Sequence, residues 1–312
     1  MNATSSGPRQ ILSGYRFATI EQPARWRERI RSFAAGHGLK GTVIVAGEGL
    51  NFSLEGPGPV LDTWLEWIAR RLGCTAPVTN RQPAAGEPFL RLKVRVKDEI
   101  VRFDPRIRPT GALGGEPVAP RDWNALLERP DVQLVDTRND YEIRIGTFEG
   151  ACNPGTDTFT EFKDFCARHL DPRRPVAMFC TGGIRCEKAG AWLVEQGFEQ
   201  VCQLRGGILG YLAETPPERS RWRGECFVFD DRVAVDESLK PTGRVVCRGC
   251  RRPAAGLDAA GVPPIDEDGT CRSCGAVFDA DRLGSLRERA RQVALARARG
   301  ERHLGPQRRQ RT

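Results

Sequence analysis

The sequence predicts a multidomain protein that combines α+β and α/β architecture in three successive units. Three observations carry that reading. Residues 1–110 run in the order β-α-β-β-α-β, residues 121–214 alternate strand and helix as a parallel sheet requires, and residues 215–312 hold two C-x2-C pairs. A chain of 312 residues with 39% hydrophobic content can bury two or three cores of its own.

The first unit begins with a strand-like stretch, Tyr15 to Ile20, and a helical one, Pro23 to Gly36. Lys40 to Ala46 is a buried-strand run, and Gly47-Glu48-Gly49 turns it into Leu50 to Glu55, which alternates as a half-buried strand does. Leu61, Trp64, Leu65, Ile68 and Leu72 recur at helical spacing and give a second amphipathic helix. Phe89 to Lys97 alternates apolar with basic residues. The order implies a ferredoxin-like (acylphosphatase-like) sandwich whose last strand has one core face and one cationic face, Arg91, Lys93, Arg95 and Lys97. That face is a candidate RNA contact, although such alternation more commonly marks a solvated surface. Pro105 to Pro120, rich in Pro and Gly, reads as a linker.

In the second unit the strands are Val132–Asp136, Val176–Cys180 and Val201–Leu204, and the helices Trp123–Glu128, Phe159–His169 and Cys186–Gln196. Ligands of parallel sheets sit beyond the carboxyl ends of the strands, where Cys180 falls. The loop Cys180-Thr181-Gly182-Gly183-Ile184-Arg185 leads into a helix that starts near Cys186. Its successive backbone N–H groups can curl around one anion, and the helix N-terminus adds positive potential. Such surroundings lower a cysteine pKa from about 8.5 to roughly 3.5–7.5. Cys180 is therefore the candidate nucleophile. Cys186, in the first turn of the helix, is a resolving partner or a packing residue. Arg185 offers a rigid five-donor fork, either for an oxyanion or for a structural salt bridge to Glu142 or Glu187.

This loop resembles the active-site loop of rhodanese domains, which carry sulfur as a cysteine persulfide. Val132 to Arg138, Tyr141-Glu142, Gly146 to Ala151 and the turn Leu204-Arg-Gly-Gly-Ile208 extend the resemblance and imply a rhodanese-like domain over residues 121–214. Arg185 lies five positions after Cys180, as in sulfur-handling rhodaneses. In the related phosphatases the arginine lies six positions on, where this chain has Cys186, so a cysteine phosphatase is disfavoured.

The third unit opens after Pro216. Cys247-Arg-Gly-Cys250 and Cys271-Arg-Ser-Cys274 have the spacing of a four-thiolate structural zinc site, with two ligands from each knuckle. The flanking chain has too few apolar residues to fold without a metal. Residues 281–312 hold ten arginines against Asp281, Glu288 and Glu301, a net of +7 out of the chain's +8. The terminal Arg308, Arg309 and Arg311 suit phosphate backbones, and charge alone equally fits a solvated tail. Leu283, Leu286, Ala290 and Val293 place an amphipathic helix before them. No apolar run approaches the ~20 residues of a membrane span. The N-terminus lacks signal-peptide features, and eleven cysteines in metal-like and catalytic contexts indicate a reducing cytoplasm.

Taken together, Cys180 to Lys188, Gly47-Glu-Gly-Leu-Asn51 and Gly224-Glu-Cys-Phe-Val-Phe-Asp230 make the chain similar to the bacterial tRNA uridine 5-hydroxylases over roughly residues 10–280. The resemblance implies oxygen-dependent hydroxylation of the wobble uridine at C5, with tRNA as partner and molecular oxygen as co-substrate. No flavin, haem or nicotinamide motif is present, and the three histidines His37, His169 and His303 lie in different regions. A sulfur-centred mechanism remains, in which Cys180 as thiolate or persulfide adds to the pyrimidine at C6. The alternatives are a sulfurtransferase passing persulfide sulfur from Cys180, favoured by the loop alone, and a non-catalytic RNA-binding adaptor. No protein partner is evident.

Overall fold

The computed structural model describes residues 7–73, 77–84, 88–109, 114–247, 250–254, 265–266, 268–271 and 275–300. Cys274, Arg308, Arg309 and Arg311 lie outside the described residues.

The first domain is a sheet covered by two helices. Its strands are β1 (Arg9–Phe17), β2 (Lys40–Ala46), β3 (Gly49–Pro57), β4 (Val78–Pro83) and β5 (Leu92–Val96), and its helices α1 (Pro23–Gly36) and α2 (Gly58–Leu72). The order is β4-β1-β3-β2-β5; the first four strands are antiparallel, and β5 runs parallel to β2. Trp26, Ile30 and Ala34 of α1 and Leu61, Trp64 and Ile68 of α2 pack on Leu12, Val43, Val45, Leu50, Phe52 and Leu54. The three-to-four residue spacing on the helices and the alternation on the strands put each of these on one face.

The ferredoxin-like order holds with two corrections. The first strand begins at Arg9 rather than Tyr15 and ends at Phe17 rather than Ile20. Ser13 and Gly14 hide it, yet Gly14 is needed there: a Cβ would lie 2.7 Å from the Val78 carbonyl oxygen and 2.8 Å from the Phe52 ring. The strand that closes the motif is the polar β4, not Phe89 to Lys97. That segment supplies β5 as an added edge, and Arg91, Lys93, Arg95 and Lys97 are all exposed along it.

The second domain comprises β6 (Glu116–Val118), α3 (Pro120–Leu127), β7 (Gln133–Asp136), α4 (Asp140–Ile143), β8 (Gly146–Phe148), α5 (Phe162–His169), β9 (Val176–Phe179), α6 (Ile184–Glu195), β10 (Val201–Leu204), α7 (Gly207–Glu214) and β11 (Trp222–Gly224). The main sheet is parallel, in the order β6-β10-β9-β7. All four residues of β9 are buried, as expected of an interior parallel strand. Part of the stretch read as linker is therefore β6, the edge strand of this sheet. Beyond residue 214 the chain adds β11, which pairs antiparallel with β8. The first compact unit runs through Cys226 and includes Val235–Lys240.

Within that unit the two domains are joined by buried charge. Lys188 of α6, fully buried, places Nζ 2.8 Å from Glu48 and 2.5 Å from Glu99. Glu48 sits on the turn between β2 and β3, and its other oxygen accepts the Ile100 N–H at 2.7 Å. Asn51 donates to the Ile100 carbonyl at 3.1 Å. The Gly47–Asn51 segment and the end of the Cys180–Lys188 segment are thus two sides of one contact.

The second compact unit holds Phe227–Ala234 and the chain from Pro241. It contains an antiparallel pair, Val245–Val246 with Pro253–Ala254, and helix α8 (Ala280–Ala298). Leu286 is buried and Leu283, Ala290 and Val293 are half-buried, so the amphipathic face is the one that the spacing indicates. Cys247, Ala254 and Cys271 form its small core, with Cys250 and Phe278 packed against them. Among the described residues no helix is long and apolar enough to cross a membrane.

Candidate active site

Strand β9 ends at Phe179, and Cys180 is the first residue beyond it, at the carboxyl end of an interior strand. Thr181, Gly182 and Gly183 carry the chain into α6, whose N-cap is Gly183 with φ 100°. That left-handed value suits glycine, and it aims the first amides of the helix at the thiol. Gly183 N–H lies 3.1 Å from Cys180 Sγ, and the amides of Arg185 and Cys186 also donate to it. A second turn fixes the loop from below. Ile208 N–H donates to the Cys180 carbonyl at 2.9 Å and Leu209 N–H to that of Thr181 at 3.1 Å. Gly207 allows this approach, since a Cβ there would lie 2.4 Å from the Cys180 carbonyl oxygen.

The loop residues Cys180, Thr181, Gly182, Gly183, Ile184, Arg185 and Cys186 are brought together as the sequence indicates. Arg185 is committed to a buried salt bridge: its two terminal nitrogens each lie 2.7 Å from an oxygen of Glu142. Glu142 is itself buried and accepts the Asn139 N–H at 3.1 Å, closing a capping box on α4. Burial pushes the Glu142 carboxyl up, but Arg185 outweighs it and holds the group below its ordinary value. Alongside, Arg138 lies buried against Asp136 and over the Trp222 ring, fixing the end of β7.

The two thiols of the loop are driven apart. Burial pushes Cys180 up, yet the Cys186 thiol donating to it, the Arg185 charge and the loop amides overcome this and lower it to about 6. Cys186 is pushed well above the ordinary thiol value, by burial first and then by its bond to Cys180. Thr137 Oγ1 lies 3.6 Å from Cys186 Sγ. At neutral pH the site thus holds one thiolate, Cys180, and one neutral thiol that hydrogen-bonds to it.

Residues from the first domain, which sequence reasoning missed, reach this loop. Tyr15 of β1 donates to Glu187 at 3.2 Å, and Asn80 of β4 donates to the Gly206 carbonyl at 3.1 Å. Nothing local in either strand marks these residues, because their partners lie more than a hundred positions away. The exposed basic residues Arg91, Lys93, Arg95 and Lys97 lie at the β5 edge of the first domain's sheet. Among the described residues no three His, Cys, Asp or Glu side chains are arranged to hold a metal ion; Cys247, Cys250 and Cys271 nevertheless gather in one cluster.

Two outcomes follow from this electrostatics. Arg185→Lys is expected to cost about 3 kcal/mol of stability, since lysine leaves buried Glu142 incompletely paired; an unchanged melting temperature would contradict the account. The Cys180 thiolate titrates lower in the folded chain than in the unfolded one. It therefore contributes stability fully above the unfolded thiol value of about 8.5 and none below about 6. The stability of wild type relative to Cys180→Ser should rise with pH across that window in urea denaturation.

Comparison with known proteins agrees with the two-domain architecture. Residues 9–100 match the UPF0176 acylphosphatase-like domain, and residues 119–214 the rhodanese-like domain. The chain is 43% identical to a tRNA uridine(34) hydroxylase of Sinorhizobium fredii, over 95% of this chain and 94% of the relative. It is 44% identical to one of Jannaschia sp., over 95% and 98%, and 42% identical to one of Agrobacterium fabrum, over 98% and 100%. With identity at this level along nearly the whole of both chains, the protein belongs to the tRNA uridine(34) hydroxylase family.

Proposed function

We propose that the chain hydroxylates uridine 34 of tRNA at C5, with Cys180 as the nucleophile. The observation that carries this reading is a cysteine lowered to about 6 within a loop of amide donors, in a chain of that family. The thiolate adds to C6 of the uracil ring, and the electron pair of the C5–C6 double bond moves to C5 and its neighbouring carbonyl. C5 is then nucleophilic toward molecular oxygen. One oxygen atom stays on C5, and the other leaves as water with two electrons and two protons from an external donor. Loss of the C5 proton and departure of the thiolate restore the double bond. Arg185 and the loop amides hold the thiolate as leaving group, and the Cys186 S–H donates to it in the free enzyme. None of the nine cysteines among the described residues is in a disulfide, which suits a reducing cytoplasm.

The same loop can carry a persulfide, so sulfur transfer from Cys180 is the alternative. Nucleoside mass spectrometry separates the two. A deletion strain complemented with Cys180→Ser is expected to lack 5-hydroxyuridine and keep its thiouridine. The opposite pattern would establish the sulfurtransferase.

Cys247, Cys250, Cys271 and Cys274 we assign to one structural zinc. The support is that the two knuckles repeat one geometry. Arg251 N–H donates to the Cys247 carbonyl and Gly275 N–H to the Cys271 carbonyl, each at 2.8 Å. Cys247 and Cys271 donate in turn to the carbonyls of Arg252 and Ala276, at 2.9 and 2.8 Å. Arg251 and Gly275 both take left-handed backbone, φ 67° and 71°. Zinc bound there by four thiolates would tie the knuckles together and has no open position for chemistry. On the basic surfaces, the edge carrying Arg91, Lys93, Arg95 and Lys97 and the tail with Arg308, Arg309 and Arg311 serve tRNA phosphates in this reading. Metal analysis should give about one zinc per chain. Cys271→Ser should lose it and expose α8 to hydrogen exchange while the rhodanese-like core keeps its protection. A metal-free chain with α8 equally protected would contradict the assignment.

A further inference from the structure

The reading above requires a uracil ring against the sulfur of Cys180, yet Cys180 has 0% exposed surface. Part of what covers its loop comes from the acylphosphatase-like domain. A Cβ placed on Gly183 would come within 2.9 Å of the Tyr15 hydroxyl. One placed on Gly182, Gly206 or Gly210 would come within 3.8, 3.7 or 3.5 Å of the Asn80 carboxamide. The two turns that frame Cys180 are thus floored by glycines, and Tyr15 and Asn80 lie directly over them. Tyr15 stays a neutral donor, because burial first, and then the neighbouring Glu187 and the two thiols, push its hydroxyl well above its ordinary value.

The contacts between the domains are of two kinds. Lys188 with Glu48 and Glu99 is a buried ionic cluster, and separating such charges inside protein is strongly unfavourable. Buried Tyr15 on Glu187 and half-buried Asn80 on Gly206 are single hydrogen bonds beside the loop, each contributing little net stability. A fixed point beside an exchangeable one is the layout of a hinge. The Asn80 contact also has a specific chemistry. A carbonyl can only accept, so Gly206 takes an N–H from the carboxamide, which presents C=O beside N–H as one edge of uracil does. Uracil carries a proton on N3 and can donate to the same carbonyl; in cytosine N3 is a bare acceptor, and the donor is displaced to the N4 amino group.

Resting on the tRNA reading, we propose that Tyr15 and Asn80 are a latch holding the acylphosphatase-like domain closed over Cys180, and that the substrate uracil opens it by taking the Gly206 carbonyl from Asn80. The Gly206 carbonyl is then a specificity-determining group for uracil over cytosine.

The test uses the full chain and iodoacetamide, at a pH above the titration of the thiolate, with the Cys180 peptide followed by mass spectrometry. Exposed Cys152 is the internal reference. Asn80→Ala and Tyr15→Phe should each alkylate Cys180 about tenfold faster than wild type, the effect of one lost hydrogen bond in the closed state, with melting temperatures lowered by only about 2–4 °C. A synthetic anticodon stem–loop with uridine at the wobble position should protect Cys180 in Asn80→Ala, and the same RNA with cytidine should not. Unchanged rates in both variants, or wild-type Cys180 reacting as fast as Cys152, would overturn the latch. Equal protection by cytidine RNA would overturn the role of Gly206. None of these readings depends on hydroxylation, so failure here leaves the nucleoside analysis to decide the reaction by itself.

Discussion

A buried thiolate is unfavourable unless fixed positive charge and donors replace the solvent, and here the Cys186 thiol and one ion pair supply that condition. Arg185 lies in the first turn of α6 and is held by both oxygens of Glu142 on α4. The pair does two things at once. It places a permanent positive charge close enough to Cys180 to offset its burial, and it pins the start of α6 so that the amides of Gly183, Arg185 and Cys186 converge on one sulfur. Were the guanidinium free to swing to solvent, the loop would lose both its charge and its geometry. Binding an oxyanion is therefore not what this fork mainly does; the salt bridge is its principal commitment.

The ordering of the two thiols follows from the same arrangement. Burial first, and then the charge already held on Cys180, keep the proton on Cys186, whose thiol donates a hydrogen bond to Cys180. Their sequence positions already differ in this respect. Cys180 ends a strand, at the focus of the amides, whereas Cys186 projects from the helix toward Thr137. The buried lysine two residues on, Lys188, faces the first domain instead, and its two carboxylates fix the two domains to one another at that point.

Much of this was legible in the chain. The interior strand Val176–Phe179 and the glycines of the loop follow from local rules of burial, φ and helix ends, and the arginine five positions after Cys180 is legible through the resemblance to rhodanese domains. The partner of Arg185 was narrowed to Glu142 or Glu187, and packing chose Glu142, the carboxylate that a capping box had already oriented. What was not legible depends on distant contacts. β4 is polar because it is an edge, so it carries no apolar signature, and β1 is broken by Gly14, whose need arises only from the strand and ring beside it. β6 looked like linker because three residues of edge strand between glycines and prolines have no period to read. Tyr15 and Asn80 look like ordinary strand residues until the second domain is placed against them.

The loop's chemistry depends most directly on the ionisation of Cys180. Alkylation of the Cys180 peptide in the intact chain, measured across pH by mass spectrometry, reports that ionisation whatever the substrate. The expected profile has its midpoint at about 6 and moves upward in Arg185→Lys, whose ammonium cannot hold the same position against Glu142. A midpoint at or above the ordinary thiol value of about 8.5 would contradict the claim that this loop is built to hold a thiolate.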